Sequence, residues 1–159
     1  MTEEPLFRAM TTADAPVLAR LEALVETTPW REQDFVDVLK NHWWGSVLTG
    51  EGGDITAWAV VMPVLDECEL LTIGVRPDCQ GKGYGRAMLQ QMMAHAREAD
   101  KQCCHLEVRE SNARAIRLYE TSGFERVGLR KGYYRTESGR ENAILMRVDF
   151  THEAQHAER

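Results

Sequence analysis

The stretch Leu71–Arg86, LTIGVRPDCQGKGYGR, reads as an apolar strand, a glycine-rich turn and the start of a helix. The turn is spaced Gln80-x-x-Gly83-x-Gly85, with Gly81 just before Lys82. An amphipathic run, Ala87-Met88-Leu89…Met92-Met93…Ala96, follows directly. Glycine permits positive φ and a close backbone approach to a ligand. A helix that opens on such a turn presents unpaired N–H groups and the positive end of its dipole, which suits a phosphate.

Three phosphate-loop patterns compete for this turn. A nucleoside-triphosphate loop needs G-x-x-x-x-G-K-[ST], and no Ser or Thr follows a Gly-Lys pair here. A dinucleotide fingerprint needs G-x-G-x-x-G, but the third glycine falls one position early and Arg86 stands in its place. The coenzyme A pyrophosphate pattern, [RQ]-x-x-G-x-[GA], is matched in order by Gln80, Gly83 and Gly85. A plain strand–loop–helix connection fits the same glycines, and the turn alone does not decide between the two.

A wider set of residues does. The segment Ile73-Gly74-Val75-Arg76-Pro77…Gln80-Gly81-Lys82-Gly83-Tyr84-Gly85-Arg86 resembles motif A of the GNAT acetyltransferases. Further on, Leu106-Glu107-Val108-Arg109…Ser111-Asn112…Ala115-Ile116…Leu118-Tyr119-Glu120…Gly123-Phe124 resembles motif B. With Tyr133-Tyr134 and Gly139-Arg140-Glu141-Asn142-Ala143 added, the wording is similar to the RimI-like branch. Members of that branch acetylate the N-terminal alanine of a small-subunit ribosomal protein. The resemblance extends from about Pro5 to Phe150. Gly74 and Gly81 stand where relatives often carry larger residues.

Composition sets the bounds. A chain of 159 residues is enough for one domain with its own core, and 43% hydrophobic and 28% charged content is ordinary for a globular protein. The expectation is a single domain over residues 1–159, with a core of about 5–150 and a polar, frayed tail. No apolar run approaches the ~20 residues of a membrane span. The N-terminus, MTEEPLFRAM, lacks the basic-then-apolar order of a secretory signal, which points to the cytoplasm. A net charge of −6 argues against direct nucleic-acid binding and favours a basic partner on approach. Cys68, Cys79, Cys103 and Cys104 form no C-x-x-C pair and have no His at zinc spacing, so no metal is expected and the thiols read as reduced and structural.

Taken in order, periodicity gives a strand at Leu6–Met10, a helix carrying Val17, Leu18, Leu21, Leu24 and Val25, and a shorter helix with Phe35, Val38 and Leu39. Two strands flank Gly50–Asp54, a hairpin signal. A third strand, Cys68–Val75, follows a turn at Pro63–Asp66 and enters the glycine loop. Gly74 inside it marks a bulge, a close ligand approach or simply weaker packing. A helix over about 83–99, a strand over 102–109 and a helix from Ser111 or Asn112 to Gly123 come next. Two closing strands, near 124–129 and 142–148, are joined by a polar loop. The order β-α-α-β-β-β-α-β-α-β-β predicts the α/β class with a mixed sheet and helices on both faces, which is also the GNAT order.

The resemblance assigns chemistry residue by residue. By alternation Glu107 is a solvent-face residue of a half-buried strand; the resemblance makes it the general base. By helical spacing Tyr119 is a core tyrosine; the resemblance makes it the acid that protonates the coenzyme A thiolate. The backbone of Ile73, Gly74 and Val75 offers an oxyanion donor. The loop from Gly81 through Lys82, Gly83, Tyr84 and Gly85 to Arg86 holds the pyrophosphate. Asn112 bonds the pantetheine arm, and helix capping is its alternative role. Asp66, Glu67 and Glu69 either attract an amine or are solvated charges. Trp30 and Tyr133-Tyr134 either shape a peptide groove or are buried. Cys103 and Cys104 invite a route through acetyl-cysteine, but by periodicity His105 points at neither, and direct transfer is the better reading.

The cofactor implied is acetyl-CoA, used as cosubstrate. The partner implied is the N-terminal tail of a small-subunit ribosomal protein, with a monomeric enzyme and no membrane. Two other readings share much of this sequence. A GNAT enzyme acting on lysine or a small-molecule amine would keep motif A. A non-catalytic acyl-CoA sensor would need neither Glu107 nor Tyr119.

Overall fold

The computed structural model describes residues 6–150. The expectations for Pro5, the acidic N-terminus and the polar tail over 151–159 lie outside the described residues. The elements run β1 (Leu6–Ala9), α1 (Ala15–Val25), α2 (Glu32–Lys40), β2 (Trp44–Thr49), β3 (Ile55–Val64), β4 (Glu67–Val75), α3 (Tyr84–Glu98), β5 (Cys103–Arg109), α4 (Ala113–Thr121), β6 (Glu125–Thr136) and β7 (Gly139–Asp149). This is the order read from the sequence. The seven strands form one mixed sheet in the order β1-β2-β3-β4-β5-β7-β6. β4 and β5 are parallel, whereas β1/β2, β2/β3, β5/β7 and β6/β7 are antiparallel. Among the described residues, no helix is long and apolar enough to cross a membrane.

The described residues divide into two compact units, 6–63 with 70–92, and 64–69 with 93–150. In the first, Arg8 grips Asp14 through two hydrogen bonds of 2.8 Å, and the Thr11 N–H also donates to Asp14 at 2.8 Å. This caps the turn that opens α1 and holds the Asp14 carboxyl below the usual carboxylate range. Leu18 on α1 and Phe35 and Val38 on α2 meet Val47, Ile55, Trp58 and Val60 from the β2–β3 hairpin in one buried cluster. Glu22 shares the buried face of α1 with Leu18. It accepts from Trp58 Nε1 at 2.9 Å, from the Thr72 hydroxyl at 3.0 Å and from the Trp30 N–H at 3.3 Å. A buried carboxylate is costly without partners, and these three donors supply them.

The second unit is built on the β5–β7–β6 ladder. β5 pairs with β7 along its whole length, from Cys103↔Asp149 to Arg109↔Ala143. The two closing strands are much longer than the sequence suggested. β6 runs on to Thr136 and β7 begins at Gly139, so Tyr133 and Tyr134 lie in a strand and the polar loop shrinks to a tight turn. Two register irregularities, at Arg126/Gly128 and Arg130/Tyr134, break the alternation that marks a strand. Asn142 repairs the second: its Oδ1 accepts from the Gly132 N–H at 2.9 Å, and its Nδ2 donates to Glu110 at 3.1 Å. Pro63 likewise belongs to β3, and Leu65 takes the turn at φ 54°. Its carbonyl accepts from Lys101 Nζ at 2.6 Å.

Candidate active site

The glycine loop lies in the first unit. β4 ends at Val75, and Pro77–Cys79 make a single 3-10 turn before Gln80. The Arg76 N–H donates to the Thr56 carbonyl at 2.8 Å and ties the start of the loop to β3. Gln80 folds back, its Nε2 donating to the Val75 carbonyl at 3.1 Å. Gly81 and Gly83 have φ of +78° and +87°, and a Cβ on either would meet nothing within 4 Å. Backbone conformation, not crowding, therefore requires glycine at both. The Ala87 N–H reaches the Gly83 carbonyl at 3.0 Å, the first helical bond, so the amides of Tyr84, Gly85 and Arg86 form the opening turn of α3. Lys82 and Arg86 are exposed.

Ile73, Gly74 and Val75 close β4, with Gly74 on its buried side. The reason for this glycine is now specific. A Cβ at residue 74 would collide with the indole of Trp58, so the position is glycine because a buried tryptophan fills its space. That accounts for the departure at Gly74 without a ligand.

Glu107, Tyr119 and Asn112 lie in the second unit. Glu107 is half-buried on β5 and pairs with Arg130 of β6, Nε to Oε1, at 3.0 Å. Glu69, which pairs with His105 across the parallel β4–β5 ladder, has its carboxyl pushed up by burial and by the charge of Glu107. Tyr119 is buried on α4, its ring tilted against Phe124 at 5.9 Å. Asn112 is the N-cap of α4, with Oδ1 accepting from the Ala115 N–H at 3.2 Å. Tyr133 and Tyr134 meet edge-on at 5.0 Å. The Arg109 guanidinium covers Tyr134 at 4.3 Å, and Tyr133 remains half exposed. Neither tyrosine is buried ballast in the sense of a core side chain.

One expectation is overturned. His105 does point at a cysteine: its Nε2 lies 3.4 Å from Cys103 Sγ and 2.9 Å from Glu67 Oε1. Both side chains project from the same side of β5, as alternation requires of residues two apart. Burial pushes the Cys103 thiol up to about 11. A thiol held so far from ionisation is a poor nucleophile. Arg130, Glu22 and the grouping of Glu67 with Cys103 and His105 were missed in the sequence. The i, i+2 spacing of Cys103 and His105 was the available signal for the last.

Comparison with known proteins follows these features closely. The model of the acetyltransferase (GNAT) family matches residues 15–124, a span that runs through both units. The chain is 38% identical over 138 residues to the [ribosomal protein bS18]-alanine N-acetyltransferase of Escherichia coli K12, covering 87% of this chain and 93% of that one. It is 38% identical over 157 residues to the N-alpha-acetyltransferase RimI of Mycobacterium tuberculosis, covering 93% and 94%. The crystal structure of the Escherichia coli ribosomal-protein-S18-alanine N-acetyltransferase superposes with a TM-score of 0.86 at 36% identity, over 92% of this chain and 94% of that one.

Proposed function

Because this chain belongs to the acetyltransferase (GNAT) family, we propose that it transfers an acetyl group from acetyl-CoA to the N-terminal α-amine of a ribosomal-protein alanine. The carrying observation is the 38% identity to the bS18-alanine enzyme over 87% of the chain. The substrate follows as the N-terminal tail of a small-subunit ribosomal protein. Residues 1–159 then act as one catalytic domain, a monomer in the cytoplasm where ribosomal proteins are made.

In this reading the amides of Gly81–Arg86 and the dipole of α3 receive the pyrophosphate, with Lys82 and Arg86 adding charge. An N–H among Ile73, Gly74 and Val75 donates to the oxyanion, and Asn112 bonds the pantetheine arm. The alanine amine, with an ordinary pKa of about 7.7–8.0, loses a proton to Glu107, directly or through water. Its lone pair forms the N–C bond at the thioester carbonyl. The C–S bond then breaks, and Tyr119 returns a proton to the departing thiolate. Arg130 fixes the Glu107 carboxylate through their 3.0 Å ion pair. Glu69 adds a second acidic group beside it, which attracts a cationic amine. The suppressed acidity of Cys103 favours direct transfer over an acetyl-cysteine intermediate.

Steady-state transfer to two peptides tests the proposal. Both follow a ribosomal-protein tail that begins with alanine, and one has its α-amine blocked while keeping its lysines. Acetylation of the free α-amine alone is expected. Equal transfer to both would move the activity to lysine side chains. Transfer to neither, with acetyl-CoA still bound, would leave a different acceptor or a sensor.

A further inference from the structure

Glu67, Cys103 and His105 carry a second chemistry that the acetyl-transfer reading does not use. Glu67 opens β4 and the other two stand on β5, where the parallel register Cys68↔Cys104 sets the strands side by side. Their ligand atoms all lie within 4.8 Å of one another. His105 uses one nitrogen for both contacts: Nε2 faces Glu67 Oε1 at 2.9 Å and Cys103 Sγ at 3.4 Å. A catalytic cysteine relay needs the two ring nitrogens to serve different partners, so this arrangement is not a nucleophile with its base. Three donor atoms gathered within 4.8 Å of one another are instead a set that a metal ion can draw together.

We propose that Glu67, Cys103 and His105 bind a divalent zinc-type ion through Oε1, Sγ and Nε2, with water in the fourth position. Tetrahedral zinc with thiolate, imidazole and carboxylate ligands has ligand–ligand edges of about 3.3–3.6 Å, from bond lengths of about 2.0–2.3 Å. The observed 3.4 Å Sγ–Nε2 edge already has that length, and the 2.9 Å edge needs to open by a few tenths of an ångström. The mixed donor set selects against magnesium and calcium, which prefer oxygen alone. Cys103 is fully buried, whereas the side chains of His105 and Glu67 keep 38% and 43% of their exposure, which leaves water and ion a way in. Arg147, cross-strand from His105, is tied to Asp149 by a 2.8 Å ion pair. Binding replaces the Cys103 S–H bond with a sulfur–metal bond and releases that proton to solvent, and His105 ligates through the Nε2 lone pair of its neutral form, with its proton on Nδ1.

Titration of the full chain with Co2+, followed by Zn2+ competition, tests the site. One ion per chain is expected, with the charge-transfer absorption of thiolate-bound cobalt, displaced by Zn2+ and absent in C103S. His105→Gln and Glu67→Gln alter partly exposed side chains and serve where C103S fails to fold, with melting curves in the absence of metal as the check. Loss of a mere outer-shell partner costs about 10–100-fold in metal affinity, so loss of either ligand should cost at least that. No charge-transfer band in the wild type would overturn the proposal. So would a band whose affinity is unchanged in both H105Q and E67Q, since that is a bare thiol binding cobalt.

Discussion

The indole of Trp58 occupies the volume that a side chain at Gly74 would need. An ideal Cβ there would lie 2.6 Å from Cε2 and closer still to Cζ2. Trp58 is fully buried and its Nε1 is bonded to Glu22, so the ring is not free to move aside. Gly74→Ala should therefore destabilise the protein by about 1–3 kcal/mol, the usual cost of overpacking. Adding Trp58→Phe should recover part of that loss by opening space, so the two changes should be non-additive in urea unfolding. Additive losses would show that the collision is relieved elsewhere.

Glu22 makes stability depend on pH. Burial raises its carboxyl above the ordinary 4.5, and the hydrogen bonds from Trp58, Thr72 and Trp30 oppose that only in part. Between 4.5 and the raised folded value, the folded chain therefore holds more protons than the unfolded chain. Its contribution is full below 4.5 and is lost as pH rises through the folded value. The Thr72 hydroxyl can accept as well as donate, so the protonated carboxyl also finds a partner. Glu22→Gln removes this titration. Its stability should gain on the wild type as pH rises from 4.5 toward neutrality, read as urea midpoints. Glu22→Ala should be worse at every pH, because each buried donor left unpaired costs about 1–3 kcal/mol. A constant difference between wild type and E22Q across the range would refute the titration.

These cases show what the sequence could and could not reveal. The element order was legible because apolar residues repeat at helical spacing through α1, α2 and α3, and because the glycine-rich turn at 50–54 marks the strands on either side. The ends of β6 and β7 were not, since Gly128, Lys131 and Gly132 sit at irregularities in β6, one of which Asn142 repairs from the neighbouring strand. Glu22 reads locally as a polar break in an apolar stripe, because its partners arrive from β3, β4 and the loop after α1. Glu107 and Tyr119 carried no local mark at all. Only their place in a longer wording singled them out, and nothing in spacing would have found Arg130 beside Glu107.

Glu107→Gln should lower kcat by about 10²–10⁴-fold, the range for a lost general base, while acetyl-CoA KM stays close to wild type. It removes the charge facing Arg130 without removing bulk. Tyr119→Phe keeps the ring contact with Phe124, so the fold should survive, and kcat should fall less if water protonates the thiolate. Steady-state kinetics with an alanine-starting peptide gives both numbers. Unchanged turnover in both variants would remove the assigned roles.

Asn112 is the residue for which cap and cofactor ligand can be separated. Its Oδ1 already caps α4 through the Ala115 N–H at 3.2 Å, and a pantetheine contact would fall to the Nδ2 donor. Serine caps a helix about as well as asparagine but carries no amide. Asn112→Ser should therefore keep its melting temperature, whereas acetyl-CoA KM should rise roughly 2–10-fold, the worth of one hydrogen bond of about 0.5–1.5 kcal/mol. Asn112→Ala should show the same rise in KM together with about 1 kcal/mol of lost stability. If N112S binds acetyl-CoA as the wild type does, Asn112 is a cap and the pantetheine arm is held elsewhere.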